Sequence, residues 1–180
     1  MKTNERYNGW TNYETWLVNL WLDNDQGTQE WVRETALECV EEVISEGESD
    51  IHYLATRRMS DLLRGWHDDQ VAELMPGSAG VFADLLNSAL DSVDWEEIAQ
   101  HYVEEIELFS AGWNMPGDMP DSEPQIFTSA DDALEYIRSD VRNLDHEQYP
   151  HAGEWADAMV ADAKSEFGDR IAYYHYFVTK

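Results

Sequence analysis

The segment from Thr28 to Glu46 repeats its apolar residues at the spacing of an amphipathic α-helix. This spacing places one set of side chains on the inward side: Trp31, Cys39, Val40, Val43 and Ile44. The opposite side carries carboxylates at helical spacing: Glu30, Glu34, Glu38, Glu41 and Glu42. The pattern predicts a long helix with one face in a core and one strongly acidic face in solvent.

The preceding stretch, NGWTNYETWLVNLWLDND at residues 8–25, predicts a shorter helix. Thr11 and Glu14 fit a capping box, in which two side chains satisfy backbone N–H groups at a helix start, and the helix ends near Asn24. The predicted inward residues are Tyr13, Trp16, Leu17, Leu20 and Trp21. Both tryptophans are thereby interpreted as core residues rather than as the wall of a pocket. Four asparagines lie on the polar side of this stretch, and the sequence explains them only as helix caps or turn residues: Asn8, Asn12, Asn19 and Asn24.

Three further helices are predicted before residue 108. Ser49 can cap a helix with these inward residues: Ile51, Leu54, Ala55, Leu62 and Leu63. The chain then breaks at ELMPGSAG, and a fourth helix begins at Val81. Asp94 and Glu97 fit a second capping box, which opens a helix with these inward residues: Trp95, Ile98, Ala99, Tyr102, Val103 and Ile106. Residues 1–107 are therefore expected to form a helical bundle.

The pattern changes after Glu107, where three prolines and two glycines occur within 108–128. Short β-prone runs lie at 107–111 and 125–128. Ser129 can then cap a helix with these inward residues: Ala133, Leu134, Ile137 and Val141.

The last part of the chain predicts another helix at about 152–167, a turn at Gly168-Asp169 and a strand over 171–179. Residues 108–180 are therefore expected to form a small α+β domain with a two- or three-stranded sheet. The whole chain is assigned to the α+β class, with helix predominant.

The chain is strongly acidic, with 38 Asp and Glu against 11 Lys and Arg and a formal net charge of −27. Such a surface repels nucleic acids and anionic membranes and attracts basic protein surfaces. Duplex DNA carries one charge per about 1.7 Å of axis, so this charge equals that of roughly 46 Å of duplex, about 13 base pairs. The net charge is −18 over residues 1–109 and −9 over 110–180, so we expect it on folded surface and not in an acidic tail.

The sequence lacks the motifs of common enzyme chemistry, including G-x-S-x-G, the P-loop and G-x-G-x-x-G. His67 with Asp68 and Asp69 would need a distant further ligand to bind a metal, and a solvated helix end explains this cluster as well. The segment HEQYPH at 146–151 lacks the spacing of a zinc protease. We therefore predict no enzymatic activity, no metal and no cofactor.

Cys39 is the single cysteine, which excludes an internal disulfide and agrees with a reducing cytosol. Its place on the apolar side of an acidic helix predicts a raised thiol pKa and low reactivity. No stretch approaches a membrane span or the apolar core of a signal peptide, so the protein is expected in the cytoplasm.

Two segments carry a resemblance. YNGWTNYETWLVNLWLDND resembles the opening of accessory proteins of bacteriophages and mobile elements that begin with an N-Y-E-T-W box, and GWNMPGDMPDSEPQIFTSADDALEYI is similar to a module of such proteins. By charge and size the chain is also similar to acidic antirestriction and anti-defence proteins that mimic duplex DNA, although it shares no aligned motif with them. This resemblance implies carboxylates that take the places of phosphates in a basic groove.

These observations lead to the hypothesis of an acidic, non-enzymatic phage or plasmid protein that inhibits a host DNA-binding defence protein of the restriction or CRISPR type. It would mimic the charge of duplex DNA and fill the basic groove of the host protein or nuclease complex, without binding nucleic acid or membrane itself. The carboxylates expected to contact the partner are Glu30, Glu34, Glu38, Glu41, Glu42, Glu96, Glu97, Glu104, Glu105 and Glu107.

Two alternatives stay open. A protein-interaction module would bind a host enzyme through Trp113 or the tyrosines of 171–179, and a halophilic protein would be acidic only because its cytoplasm is salty. The sequence is also compatible with a homodimer, in which a free edge of the C-terminal strand pairs across a two-fold axis.

Overall fold

The computed structural model describes residues 6–75, 80–114, 123–142, 167–171 and 174–179. The chain divides into two compact units, Met1–Ile106 and Glu107–Lys180. In the described part of the chain, no helix is both long and apolar enough to cross a bilayer.

The first unit is helical. Its elements are α1 (Tyr13–Asn24), α2 (Gln26–Ser45), α3 (Ile51–Leu74), α4 (Val81–Leu90) and α5 (Trp95–Glu104). Helix α3 packs chiefly against α5 and α2, while α1 packs against α2 and α5. The largest fully buried side chains of this core are Met59, Leu63, Ile98, Val32, Val40, Val43 and Val103. The predicted inward faces of α2 and α5 therefore enclose α3 and form the core.

Two of the predicted helix caps differ from those observed. Helix α1 is capped by Asn12, whose side chain accepts a hydrogen bond from the backbone N–H of Thr15, so the predicted Thr11 box is wrong. Asp50, and not Ser49, occupies the N-cap position of α3. The cap of α5 is confirmed, because Asp94 accepts from the backbone N–H of Glu97.

The orientation of α1 also differs from the prediction. Its buried residues are Thr15, Asn19 and Leu22, whereas Trp21 is 67% exposed and Tyr13 is 46% exposed. The physical reason is that Thr15 makes hydrogen bonds to backbone and side-chain groups at the helix start, and these require it to face inward. The predicted inward position of Leu62 in α3 is likewise wrong, since this side chain is 52% exposed.

The second unit contains a sheet and one described helix. Its elements are β1 (Phe109–Asn114), β2 (Gln125–Phe127), α6 (Ala130–Arg142), β3 (Phe167–Ile171) and β4 (Tyr174–Thr179). The strands pair antiparallel in the order β2-β1-β4-β3, with α6 packed against β1, β2 and β4. The predicted inward residues Ala133, Leu134 and Ile137 are buried.

The predominantly helical α+β class is confirmed. The sheet has four described strands because Gly168 and Asp169 lie inside β3, where the sequence predicted a turn. Phe167, assigned to the end of a predicted helix, also lies in β3, and the rest of that predicted helix falls outside the described residues. Strand β4 pairs with β1 on one side and β3 on the other, so the expected free edge of the C-terminal strand is wrong.

Candidate functional site

The acidic face of α2 consists of the predicted carboxylates Glu30, Glu34, Glu38, Glu41 and Glu42, all of which are exposed. Helix α2 begins after Asp25, whose side chain accepts from the backbone N–H of Thr28 at 3.1 Å. The opposite side is fixed in the core by buried Val32, Val40 and Val43. A four-residue step along an α-helix rises about 6 Å, so the ladder from Glu30 through Glu34 and Glu38 to Glu42 has a regular spacing.

One arginine partly neutralises the C-terminal end of this acidic face. Arg58 of α3 lies 3.6 Å from Glu42 and is also hydrogen-bonded to Glu46. The hydrogen bond between Arg58 and Glu46 lowers the pKa of Glu46 and raises that of Arg58. The charge of Glu42 is therefore partly compensated by a cross-helix ion pair, although exposure limits the contribution of such pairs to stability.

The other predicted contact residues lie elsewhere. Glu96, Glu104 and Glu105 are exposed on or directly after α5, and Glu107 is exposed at the start of the second unit. The structure thus places five of the ten carboxylates on α2, four on α5 or at its C-cap, and Glu107 after the boundary at residue 106.

Glu97 differs from the other nine because it is engaged within the first unit. Its Oε2 accepts a hydrogen bond from the backbone N–H of Thr11 at 2.8 Å, and its Oε1 lies 3.5 Å from Arg6. Its side chain is only 19% exposed. This carboxylate therefore holds the segment before α1 against α5, which leaves it poorly placed to meet a partner.

A polar junction, formed by Asn12, Thr15, Ser92, Asp94 and Glu97, joins the starts of α1 and α5. The Thr15 hydroxyl donates to Asn12 Oδ1 at 2.8 Å and accepts from the backbone N–H of Asp94 at 2.9 Å. Asn12 Nδ2 donates to the carbonyl of Ser92 at 2.6 Å. Asn12 and Thr15 of the N-Y-E-T-W box therefore have a structural role here, which patterns of apolar residues did not reveal.

The remaining asparagines of the opening stretch have distinct positions. Asn8 adopts a left-handed backbone with φ of 50°, typical of a turn, and Asn24 is the last residue of α1. Asn19 is buried and donates to Asp23 at 3.0 Å. Asp23 also accepts a hydrogen bond from the hydroxyl of Tyr102 at 3.1 Å. Burial, followed by the charge of Asp23, raises the pKa of Tyr102. The polar side of α1 is thus tied to α5 at both ends.

An apolar cavity of about 460 Å³ lies between α1, α3 and α4. Its walls include Leu17, Trp21, Trp66, His67, Leu86 and Leu90. Apolar spacing did not predict this cavity, because it placed the apolar side of α1 in the core. One feature of the sequence could have indicated the cavity: α1 has more apolar residues than one buried face of a helix can hold.

His67 lines the cavity and is held between two tryptophans. Its ring centroid lies 4.7 Å from those of Trp66 and Trp95, and its Nδ1 is 2.8 Å from the carbonyl oxygen of Leu63. Burial lowers its pKa below the ordinary value of about 6.5, while the hydrogen bond to the Leu63 carbonyl and then the charge of Asp68 oppose that effect, so the neutral imidazole predominates at pH 7. Among the described residues, no group of three or more His, Cys, Asp or Glu side chains is arranged to hold a metal ion.

Cys39 is buried in α2, and burial followed by the nearby charge of Glu42 raises its pKa to about 11. The predicted rise in this pKa is confirmed. Because the thiolate is the reactive form, Cys39 is a packing residue at neutral pH. The HEQYPH segment lies outside the described residues, as do the side chains of Trp113 and of the C-terminal tyrosines.

Comparison with known proteins places the chain in one family. No curated protein and no solved structure matches it. A family model matches residues 3–113, which include all five helices of the first unit and most of β1. This match spans more than half of the 180 residues, and the chain therefore belongs to the Family of unknown function (DUF7249).

Proposed function

We propose that this protein is an acidic, non-enzymatic inhibitor that occupies the basic groove of a host DNA-binding protein in place of duplex DNA. It would be a phage or plasmid product that acts in the host cytoplasm against a restriction or CRISPR-type complex. It requires no cofactor and binds neither nucleic acid nor membrane directly.

The observation that carries this proposal is the exposed acidic face of α2. Its ladder places a carboxylate at about every 6 Å of a rigid helix, against one phosphate per about 3.4 Å of axis for each DNA strand. Helix α2 alone is therefore sparser than a DNA strand. The exposed acids of α5 and the net charge of −27 supply further negative charge for a groove that was built for a polyanion.

Binding of this kind should be driven largely by release of counterions. Duplex DNA releases its associated cations when basic residues neutralise its phosphates, and the clustered carboxylates of this protein would release cations in the same way. Affinity should therefore fall between about 50 mM and 200 mM salt. Specificity would come from the fixed geometry of the helices, because individual exposed ion pairs contribute less than about 1 kcal/mol.

The test is a competition between this protein and duplex DNA. DNA-binding proteins retained from host lysate are identified, purified and titrated with a fluorescent duplex that carries their binding site. We expect the protein to displace the duplex, and the complex to dissociate as salt rises. Retention that is unchanged at about 1 M salt would show that phosphate mimicry is wrong, because exposed charges are then screened within about 3 Å.

A matched pair of variants locates the contact. The first replaces the five carboxylates of the α2 face with glutamine: E30Q, E34Q, E38Q, E41Q and E42Q. The control makes the same charge change at exposed acids of α3 and α4: D61N, D68N, D69N, E73Q and D84N. We expect the first variant to lose affinity on the order of a hundredfold and the control to lose much less. Equal losses would mean that net charge alone acts, and the α2 face would then have no special role.

A further inference from the structure

The cavity between α1, α3 and α4 has the size and composition of a small-molecule site. Its volume of about 460 Å³ falls within the range of roughly 300–1,000 Å³ that is usual for such sites. Aliphatic and aromatic side chains of three helices form the walls, and the few polar groups lie among them. This combination of an apolar body and few polar groups is typical of sites that bind organic ligands.

The helices that form the cavity also expose apolar side chains to solvent. Trp21 of α1 is 67% exposed, and on α4 Val81, Phe82 and Leu85 are 64%, 77% and 62% exposed. Ala83 is the buried residue of α4. Val81, Phe82 and Leu85 are three or four residues apart or adjacent in sequence, so they lie together on one face of α4. Exposed apolar patches often mark binding sites, because leaving them in water is unfavourable.

The charges around the cavity are negative. Glu14 and Asp25 are among its lining residues, and no lysine or arginine of the described chain lines it. Leu90, the last residue of α4, and Asp25, the C-cap of α1, both line the cavity, so two C-terminal helix ends with partial negative charge border it. Asp25 caps α2 and offsets the partial positive charge of that helix start.

Aromatic rings add to this preference. Trp21 and Trp66 contribute indoles to the lining, and the face of an indole attracts a cation more strongly than that of any other side chain. His67 presents a neutral ring and does not repel a positive charge. Apolar walls, two carboxylates and two indoles together match one ligand chemistry.

We propose that this cavity binds a small organic cation, with an apolar body that fills the space between α1, α3 and α4 and a quaternary ammonium or protonated amine beside Asp25. Trp21 lies one helical turn before Asp25, whereas Glu14 lies about 16 Å away along α1 and adds to the negative potential without contacting the ammonium group. This site is separate from the acidic face of α2 and does not depend on DNA mimicry. Its occupant covers the apolar walls and neutralises part of the local negative charge.

The test uses three probes with the same eight-carbon chain: octyltrimethylammonium, 1-octanol and octyl sulfate. Isothermal titration calorimetry at physiological salt should show saturable binding of one octyltrimethylammonium per chain, about tenfold tighter than that of 1-octanol. Octyl sulfate should bind more weakly than 1-octanol. Absence of saturable binding, or equal affinity for all three probes, would overturn the proposal.

Variants separate the cavity from the general acidity of the protein. The double change E14Q and D25N should weaken cation binding about tenfold and leave 1-octanol binding unchanged. Asparagine is as good a helix cap as aspartate, so D25N preserves the start of α2. The control double change E30Q and E34Q removes two charges from α2 at positions that do not line the cavity, and it should leave binding intact. An equal loss in the control would mean that the cation binds the acidic surface at large.

A second pair tests the apolar wall and the other possible occupant. Trp21→Ala should weaken binding of both octyltrimethylammonium and 1-octanol, whereas Tyr53→Ala, which removes an exposed aromatic outside the cavity, should not. Sedimentation of the free protein completes the test. A concentration-dependent dimer that Trp21→Ala abolishes would show that a second copy covers this surface, and the proposal would be overturned.

Discussion

The hydroxyl of Thr15 accepts a hydrogen bond from the backbone N–H of Asp94 at 2.9 Å, across 79 residues of sequence. The same hydroxyl donates to Asn12 Oδ1, which also accepts from the backbone N–H of Thr15. One fully buried hydroxyl therefore links the cap of α1 to the residue that caps α5. The carboxylates of Asp94 and Glu97 and the carbonyl of Ser92 complete this polar junction, which holds the starts of α1 and α5 together.

Replacement of Thr15 by valine should destabilise the protein by about 1–3 kcal/mol. Valine keeps the shape of the side chain but leaves the N–H of Asp94 without its acceptor in a partly buried place. Urea unfolding followed by circular dichroism measures the change in the free energy of unfolding.

Thr35→Val is the matched control for this substitution. Thr35 is also buried, but its hydroxyl donates to the carbonyl of Trp31 inside the same helix, so its loss should cost clearly less. If both variants lost the same free energy, the junction would contribute no more than an ordinary buried hydroxyl.

The junction explains why the orientation of α1 could not be predicted from apolar spacing. Spacing ranks the faces of a helix by hydrophobicity, and by that criterion Trp16, Leu17 and Trp21 should be inward. The buried face instead carries Thr15 and Asn19, because their hydrogen bonds reach groups that are distant in sequence or one turn away. In α5 the buried residues are those that spacing predicted, and in α2 spacing predicted the buried Cys39, Val40 and Val43. It missed three further buried residues of α2: Val32, Thr35 and Ala36.

The two orientations of α1 predict different effects of removing tryptophans. Because Trp21 is 67% exposed, Trp21→Ala should change the free energy of unfolding by no more than about 0.5 kcal/mol. Trp95 is only 8% exposed, and Trp95→Ala should cost about 3–5 kcal/mol. Both values are obtained from urea unfolding. A large cost for Trp21→Ala would instead favour the inward orientation that the sequence predicted.

The candidate sites were predictable to different degrees. The acidic face of α2 was visible because charge and helical spacing are both properties of a continuous segment. The cavity depends on how α1, α3 and α4 approach one another, and sequence spacing carries no information on that approach. Glu97 illustrates the same limit, since its contacts with Thr11 and Arg6 span more than 80 residues.

His67 should make the free energy of unfolding depend on pH between about 5.5 and 7.5, a range above the ordinary pKa values of carboxylates. Burial lowers its pKa in the folded protein below the usual value of about 6.5, so the unfolded chain binds more protons as the pH falls. The stabilisation is therefore present above about pH 6.5 and is lost as the pH falls below it. We expect this loss in the native protein and not in His67→Gln, whose side chain does not titrate.

The measurement is the difference in the free energy of unfolding between the native protein and His67→Gln, taken from about pH 7.5 to 5.5. Use of the difference cancels the changing repulsion among the acids, which both proteins share. The native protein should lose stability relative to the variant toward acidic pH. A difference that grew in favour of the native protein would mean that folding raises the pKa of His67.

The ladder on α2 should destabilise the fold at low salt. Glutamates four residues apart repel one another by about 0.2–0.5 kcal/mol per pair, and Glu34 and Glu38 belong to three such pairs with their neighbours Glu30 and Glu42. The double change E34Q and E38Q should therefore raise the free energy of unfolding by about 1 kcal/mol at low salt, since glutamate and glutamine have similar helix propensities.

Asp61 offers a control of opposite sign, because Arg57, Arg58 and Arg64 lie three or four residues from it on α3, and Asp61→Asn should lower the free energy of unfolding. Both effects should shrink toward zero at about 1 M salt, where charges are screened within about 3 Å. Urea unfolding at the two salt concentrations checks this, and an effect that persisted at high salt would mean that the ladder acts through packing and not through its charge.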